Sequence, residues 1–156
     1  MDDAAYQQLL SDEGQAALAA AMAHKPTPAN SLVTLNTLRK RFLPALAADA
    51  LEMALLRRKA AVKFRRAAEM HFTRESLEMA SSELVACYRA ERFKKYSNVL
   101  DLCCGIGADT LALAAAGCRV TAIDNDSVRL KMAEHNLAVH GLHAEFLQVD
   151  VLADAL

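Results

Sequence analysis

Two different rhythms of apolar residues divide the chain, and the first is helical. The stretch up to Ala23 reads as helix, with Gln15 to Ala23 rich in alanine. The turn HKPTPANS (His24 to Ser31) holds two prolines that must interrupt it. Asn30 or Ser31 is placed to cap a second helix, in which Leu32, Leu35 and Leu38 recur at helical spacing. Pro44 suits the first turn of a third helix running through ALAADALEMALLRRKAAVKF, with Leu51, Leu55 and Val62 on roughly one face. Three such helices predict a small bundle over residues 1–70.

Residues 71–82 (HFTRESLEMASS) change character. Phe72 ends a basic run, Phe72 and Thr73 read as packing rather than as a lid, and Ser81 or Ser82 is placed to cap a helix through ELVACYRAERFKKY. From Asn98 the grammar becomes NVLDL, a short apolar strand; ADTLALAAAG, a helix ending at Gly117; CRVTAID, a strand; DSVRLKMAEHNLAVHG, a helix ending at Gly141; and AEFLQVD, a third strand. Right-handed crossovers make such a β-α-β-α-β run a parallel sheet. The predicted organisation is α/β: a helical domain over 1–70, then a β-α-β-α-β domain over 71–156.

Composition adds constraints. The chain has 156 residues and is 54% hydrophobic, enough for a packed core. No apolar run approaches the ~18 residues needed to cross a bilayer, and Met1-Asp2-Asp3 lacks the basic start of a secretory signal. A soluble, cytoplasmic chain with no membrane partner is expected. Cys87, Cys103, Cys104 and Cys118 form no C-x-x-C pair, and the five histidines share no zinc spacing with them. Reduced, buried thiols and no metal are expected, and Met22, Met53, Met70, Met79 and Met132 read as core filler.

Net charge is −1, yet Arg39 to Lys95 holds 14 of the 18 Lys and Arg residues against 7 acidic ones. That stretch is either a phosphate-facing patch or a solvated helix face.

Candidate chemistry gathers after the first strand, where ligands of open parallel sheets sit. In Asp101-Leu-Cys-Cys-Gly-Ile-Gly107, Gly105 and Gly107 allow backbone angles closed to other residues and remove side chains that would hold a ligand away. The next helix begins near Ala108, so its free N–H groups face the same space. Cys103 and Cys104 then read as small residues of a ligand loop, not a redox pair. A dinucleotide loop, G-x-G-x-x-G, finds one true glycine of three if Cys103, Gly105 and Ala108 are read into it. Asp101 would also oppose a pyrophosphate, whereas it suits a ligand with a cationic end, such as the amino and sulfonium groups of S-adenosylmethionine. Asp124 ends the second strand, where a carboxylate can accept from both ribose hydroxyls. Asp150 ends the third, where it can accept from an adenine amino group, with Val151 against the ring. Asp126 or Ser127 reads as a helix cap, and Asn136 as a side-chain amide bracing a loop.

With these residues in place, VLDLCCGIGADTLALA, CRVTAIDND, AEHNLAVHG and FLQVDV together resemble class I S-adenosylmethionine-dependent methyltransferases over about Asn98 to Leu152. In that family's D-x-G-x-G-x-G loop, Asp101, Gly105 and Gly107 match and Cys103 replaces the first glycine. Asp124 matches the ribose-binding acid and Asp150 the adenine-side acid. The run DLCCGIGADTLALA, with KFRRAAEMHFTRESLEMASSELVACYRAERF before it, more narrowly resembles bacterial methyltransferases that carry a THUMP-like domain. More distantly it is similar to the trimethylguanosine synthases.

The resemblance implies S-adenosylmethionine as cofactor, RNA as partner and a guanine amino group as target. It makes residues 71–156 the first, cofactor-binding half of a Rossmann-like methyltransferase sheet. The family's D/N-P-P-type motif does not occur before Leu156, so no catalytic residue is assignable, and a fragment of a longer enzyme, inactive alone, is expected. In the family's strand order the first strand lies mid-sheet, so an open NVLDL edge predicts self-association. Two other readings stay open: a non-catalytic module binding S-adenosylmethionine or RNA, and, disfavoured by Asp101, an NAD-dependent oxidoreductase.

Overall fold

The protein's structure is a computed structural model that describes residues 1–153. It divides into two compact units, Met1–Lys59 and Ala60 onward.

In the first unit the opening helical stretch is two helices, α1 (Asp3–Leu10) and α2 (Asp12–Ala23). Ser11 separates them. Its extended backbone donates its N–H to the Gln8 carbonyl and so closes α1, while its hydroxyl accepts from the Gly14 N–H and so opens α2. Gly14 is fixed by this corner, because a Cβ there would lie 2.2 Å from the Gln8 carbonyl oxygen. After the proline turn come α3 (Ser31–Leu38) and α4 (Pro44–Ala60), the latter starting on its proline as expected.

Asn30 precedes α3, but its side chain accepts from the Thr27 N–H within the turn rather than capping the helix. The buried faces also differ from the predicted ones. In α3, Leu38 is buried as predicted, but Thr34 is buried with it and Leu32 is exposed; in α4, Leu51 is buried as predicted, within a wider set that includes Leu46, Ala47, Ala50, Met53 and Ala54. Val62, expected on that face, is 88% exposed because α4 stops at Ala60.

The second unit contains α5 (Arg74–Met79), α6 (Glu83–Glu91), β1 (Asn98–Leu102), α7 (Ala108–Ala115), β2 (Arg119–Asp124), α8 (Ser127–Val139) and β3 (Glu145–Gln148). The strands pair in parallel in the order β1-β2-β3, with Leu102 opposite Ile123 and Asp124 opposite Gln148. Alternating strand and helix patterns of this kind fold locally as parallel units, and here they do. α6 and α7 contribute Ala86, Ala90, Ala112 and Leu113 to a cluster over Val120. A second cluster joins Cys104, Ala122 and Leu130 of α8, with Phe146 packed on it. Among the described residues β1 is bonded on one side only, and Leu100 and Leu102 of that strand are exposed.

α5 lies in the stretch the apolar pattern left without an element. A capping box makes it: the Thr73 hydroxyl accepts from the Ser76 N–H, and the Ser76 hydroxyl accepts from the Thr73 N–H. Ser82 caps α6, and Asp126 caps α8 by accepting from the N–H groups of Val128 and Arg129.

Phe72 is fully buried with its ring centroid 5.9 Å from that of Phe64, so it packs, and its burial contributes about 2–3 kcal/mol. Met53, Met70 and Met132 are core residues, but Met79 is 73% exposed. Cys87 and Cys103 are exposed too, against the expectation of buried thiols, since neither lies on a face that another element covers. Among the described residues no helix is long and apolar enough to cross a membrane.

Candidate functional site

β1 ends in a loop built from left-handed residues at alternate positions. Cys103 has φ +59, Gly105 φ +56 and Gly107 φ +77. Each turn of this kind is nearly free for glycine and costs a side-chain-bearing residue about 1–2 kcal/mol, so Cys103 holds its place under strain. The Cys104 N–H extends the β1–β2 ladder to the Ile123 carbonyl at 2.9 Å, and the Gly107 N–H closes the turn on the Cys104 carbonyl at 2.9 Å. The loop is therefore anchored at both ends.

The two glycines do different things. A Cβ on Gly105 would meet nothing within 4 Å, so its backbone is open to an approaching group. A Cβ on Gly107 would lie 3.0 Å from the Ala133 Cβ and 3.2 Å from the Leu137 Cδ1, so this glycine sets the close approach of the loop to α8. The sequence had assigned both to ligand access.

Around the loop stand two carboxylates. Asp101, on β1, accepts a hydrogen bond from the hydroxyl of fully buried Thr110 on α7. Burial pushes its carboxyl above the ordinary value, with the Thr110 hydrogen bond pulling the other way and nearby Asp109 adding to the rise. Asp124, at the end of β2, is 4% exposed. One of its oxygens accepts from the Gly105 N–H at 2.8 Å and the other from the Asp126 N–H at 3.0 Å. The acid that ends one strand thus orders the loop that follows its neighbour.

Two adjoining clefts share Cys103, Cys104 and Asp109. The first holds Asp101 and Arg89 beside β1. The second, of about 160 Å³, holds Gly105, Asp124 and Arg129, with Ser76, Met79 and Ser81 of the α5 region on its other wall. α5 is held there by ion pairing of Arg129 with Glu75 at 3.1 Å and by a hydrogen bond from Ser81 to Asp109 at 3.2 Å.

This second wall was missed in the sequence, although Thr73 and Ser76 at cap and third position were a readable signal for a helix start. Asn136 is wholly buried and braces the loop as expected: its oxygen accepts from the His71 N–H, and its amide nitrogen donates to the carbonyls of His71 and Ile106.

The remaining candidates, Asp150 and Val151, follow Val149, whose N–H donates to the Asp124 carbonyl at 3.2 Å. β3 ends at Gln148, two residues short of Asp150, whose carboxylate accepts from the Leu152 N–H at 3.0 Å and shapes a terminal turn. Neither Asp150 nor Val151 is among the residues lining the two clefts.

Burial beside Asp101 and Asp124 pushes the Cys104 thiol up to about 12, so it stays protonated and is no nucleophile. Iodoacetamide at about pH 8 is expected to alkylate exposed Cys87 and Cys103 and to spare Cys104 until the chain unfolds. Tandem mass spectrometry of the Cys103–Cys104 peptide reads this directly. Equal labelling of the two neighbours would show that the loop does not hold Cys104 inside.

Residues 99–155 match the family described as "Methyltransferase domain", and residues 2–60 match "Domain of unknown function (DUF8688)". Two uncharacterised S-adenosylmethionine-dependent methyltransferases of Mycobacterium tuberculosis, from strains CDC 1551 / Oshkosh and ATCC 25618 / H37Rv, are each 39% identical over 107 residues. The alignment takes in 65% of this chain, and the chain spans about 30% of the length of those relatives.

Among solved structures, the N-terminal domain of EvdMO1 with SAH bound is 30% identical at a TM-score of 0.40, over 45% of this chain and 32% of that one. Coclaurine N-methyltransferase bound to N-methylheliamine and SAH is 19% identical at a TM-score of 0.43, over 91% of this chain and 50% of that one. The matching family and the curated relatives are described as methyltransferases, and this chain is similar to them over those stretches.

Proposed function

We propose that this chain is the cofactor-binding part of an S-adenosylmethionine-dependent methyltransferase. The observation that carries the reading is the loop from Asp101 to Gly107: three left-handed residues, open space at Gly105, and a carboxylate on either side, half-buried Asp101 and buried Asp124. A cationic nucleoside fits that arrangement better than a pyrophosphate does, because a phosphate would face Asp101. When bound, S-adenosylmethionine supplies a methyl group on a sulfonium, which a nucleophile can take. The residues here would bind and orient it: Asp101 would hold the ammonium group, Asp124 the ribose hydroxyls, and Gly105 would let the ligand reach the backbone. Methyl transfer to an amine depends chiefly on alignment, so such positioning is the main contribution expected of this part of the protein.

The test is calorimetric titration of the 156-residue chain with S-adenosylhomocysteine and, separately, with NADH. Micromolar binding of the first and none of the second is expected. Binding of NADH alone, or of neither ligand by the folded chain, would overturn the assignment.

For the substrate we propose RNA, with a guanine amino nitrogen as the methyl acceptor. Much of the basic charge in the second unit is internally matched: Arg65 pairs with Glu83, Arg66 with Glu69, Arg89 with Asp109 and Lys94 with Glu91. Lys63 is likewise held, donating to the carbonyls of Leu77, Glu78 and Ala80.

What supports RNA is the end of α6, where Arg92 and Lys95 line one surface hollow with Phe93 and Tyr96, and Lys95 lies 5.0 Å from the Tyr96 ring centroid. Cations beside a half-exposed aromatic ring are the elements of a single-strand platform. Reversing both charges, Arg92→Glu with Lys95→Glu, should weaken binding of single-stranded RNA about tenfold or more and flatten its salt dependence. Fluorescence anisotropy across a salt series would measure this, and an unchanged salt slope would count against the surface.

A further inference from the structure

An α-amino acid carries its ammonium and carboxylate on one carbon. If Asp101 takes the ammonium of the cofactor, a cation beside Asp101 must meet the carboxylate. Two arginines line the clefts. Arg129 is on the Asp124 side and is held between two carboxylates, Glu75 at 3.1 Å and Asp126 at 3.6 Å. That places it by the ribose end. Arg89 reaches from α6 into the cleft that contains Asp101, where it donates to Asp109 on the first turn of α7 and, at 3.3 Å, to the Ser81 hydroxyl. Its positive charge is felt at Asp101, opposing the rise that burial causes there.

We propose that Arg89 is the receptor for the cofactor's carboxylate, and that Asp109 and Ser81 hold its guanidinium in place for that role. The inference rests on the S-adenosylmethionine reading above. Asp101 and Arg89 together form a receptor for a zwitterion, one group for each charge. The guanidinium can bind a carboxylate through two parallel N–H groups and still retain donors for Asp109. Arg89 is partly exposed, so a ligand can reach it without displacing α6. In this arrangement the α6 segment, outside the β-α-β-α-β unit, selects ligands that retain the amino-acid tail.

The test compares two ligands on three proteins. S-Adenosylhomocysteine has the carboxylate, and 5′-methylthioadenosine lacks the amino-acid end altogether. Arg89→Ala should weaken S-adenosylhomocysteine about 10- to 100-fold, the scale of one charge-assisted hydrogen-bonded pair, and leave 5′-methylthioadenosine within about twofold. Asp109→Asn, which keeps Arg89 and the fold of α7 but removes the carboxylate that positions the guanidinium, should weaken S-adenosylhomocysteine by less than Arg89→Ala does, about two- to tenfold, and leave 5′-methylthioadenosine within about twofold.

Equal losses for both ligands in Arg89→Ala would make Arg89 a brace of α6 and overturn the proposal. No loss for either would assign the carboxylate to another donor, such as the N–H groups opening α7, and would overturn it as well. Failure of the unaltered chain to bind either ligand would instead remove the cofactor reading on which this one depends.

Discussion

Replacing Asp124 with alanine is expected to lower affinity for S-adenosylhomocysteine by about 100-fold, roughly 2.7 kcal/mol, and to destabilise the second unit by about 2–4 kcal/mol. Both effects come from one buried group. Its two oxygens accept from the N–H groups of Gly105 and Asp126, so truncation leaves two backbone donors without their charged acceptor and frees the loop that must meet the ligand. On the proposed cofactor reading, loss of the ribose contacts adds to the loss of loop order. Asp124→Asn retains one carbonyl oxygen but turns an NH2 toward a donor, so it should fall between the parent and the alanine variant. Calorimetry together with urea unfolding separates the two effects. An alanine variant that binds like the parent would mean that the ligand sits elsewhere.

Asn136→Ala should be the most damaging single truncation for the fold, at about 3–5 kcal/mol. Three buried hydrogen bonds end on this side chain: 2.7 Å from the His71 N–H, 3.0 Å to the His71 carbonyl and 3.1 Å to the Ile106 carbonyl. They join α8 to the segment before α5 and to the ligand loop itself. The groups left behind are buried, so they lose their partners without full access to solvent. Asn136→Asp keeps the acceptor for His71 but sets a carboxylate against two carbonyls, and it should be no better. Thermal unfolding followed by circular dichroism is the measurement. A loss below about 1 kcal/mol would show that the three bonds do not form as described.

The contrast between these two residues shows how legible each was in the sequence. Asp124 could be found because a strand pattern ends on it, and ends of parallel strands are where polar ligands are held. Its second task, ordering Gly105, could not be found, since it depends on β1 and β2 lying side by side in one register. Asn136 was recognisable as a brace because an amide amid apolar helix positions needs partners. The partners themselves, His71 and Ile106, are 65 and 30 residues away and are set only by folding.

The helical region was read less well for a related reason. Val62, Leu32 and Met79 are apolar and fall at helical spacing or in apolar surroundings, yet all three are exposed. Periodicity tells which residues share a helix face but not which face another element covers. Arg89 is the same case in polar form: nothing near it in the chain indicates that it meets Asp109, 20 residues later.

What the sequence determined by itself is local. Short apolar strand runs alternating with helical segments set the β-α-β-α-β order, Asp126 caps α8, and the glycines at 105 and 107 mark backbone that turns left-handed. Each of these follows from the conformational preferences of a few neighbouring residues. Only the tertiary structure decided which glycine faces open space and which faces α8, which arginine stands beside Asp101, and that α5 walls the cleft over Asp124. Those outcomes depend on distances between segments far apart in the chain, and such distances are fixed by the packing of strands and helices against one another.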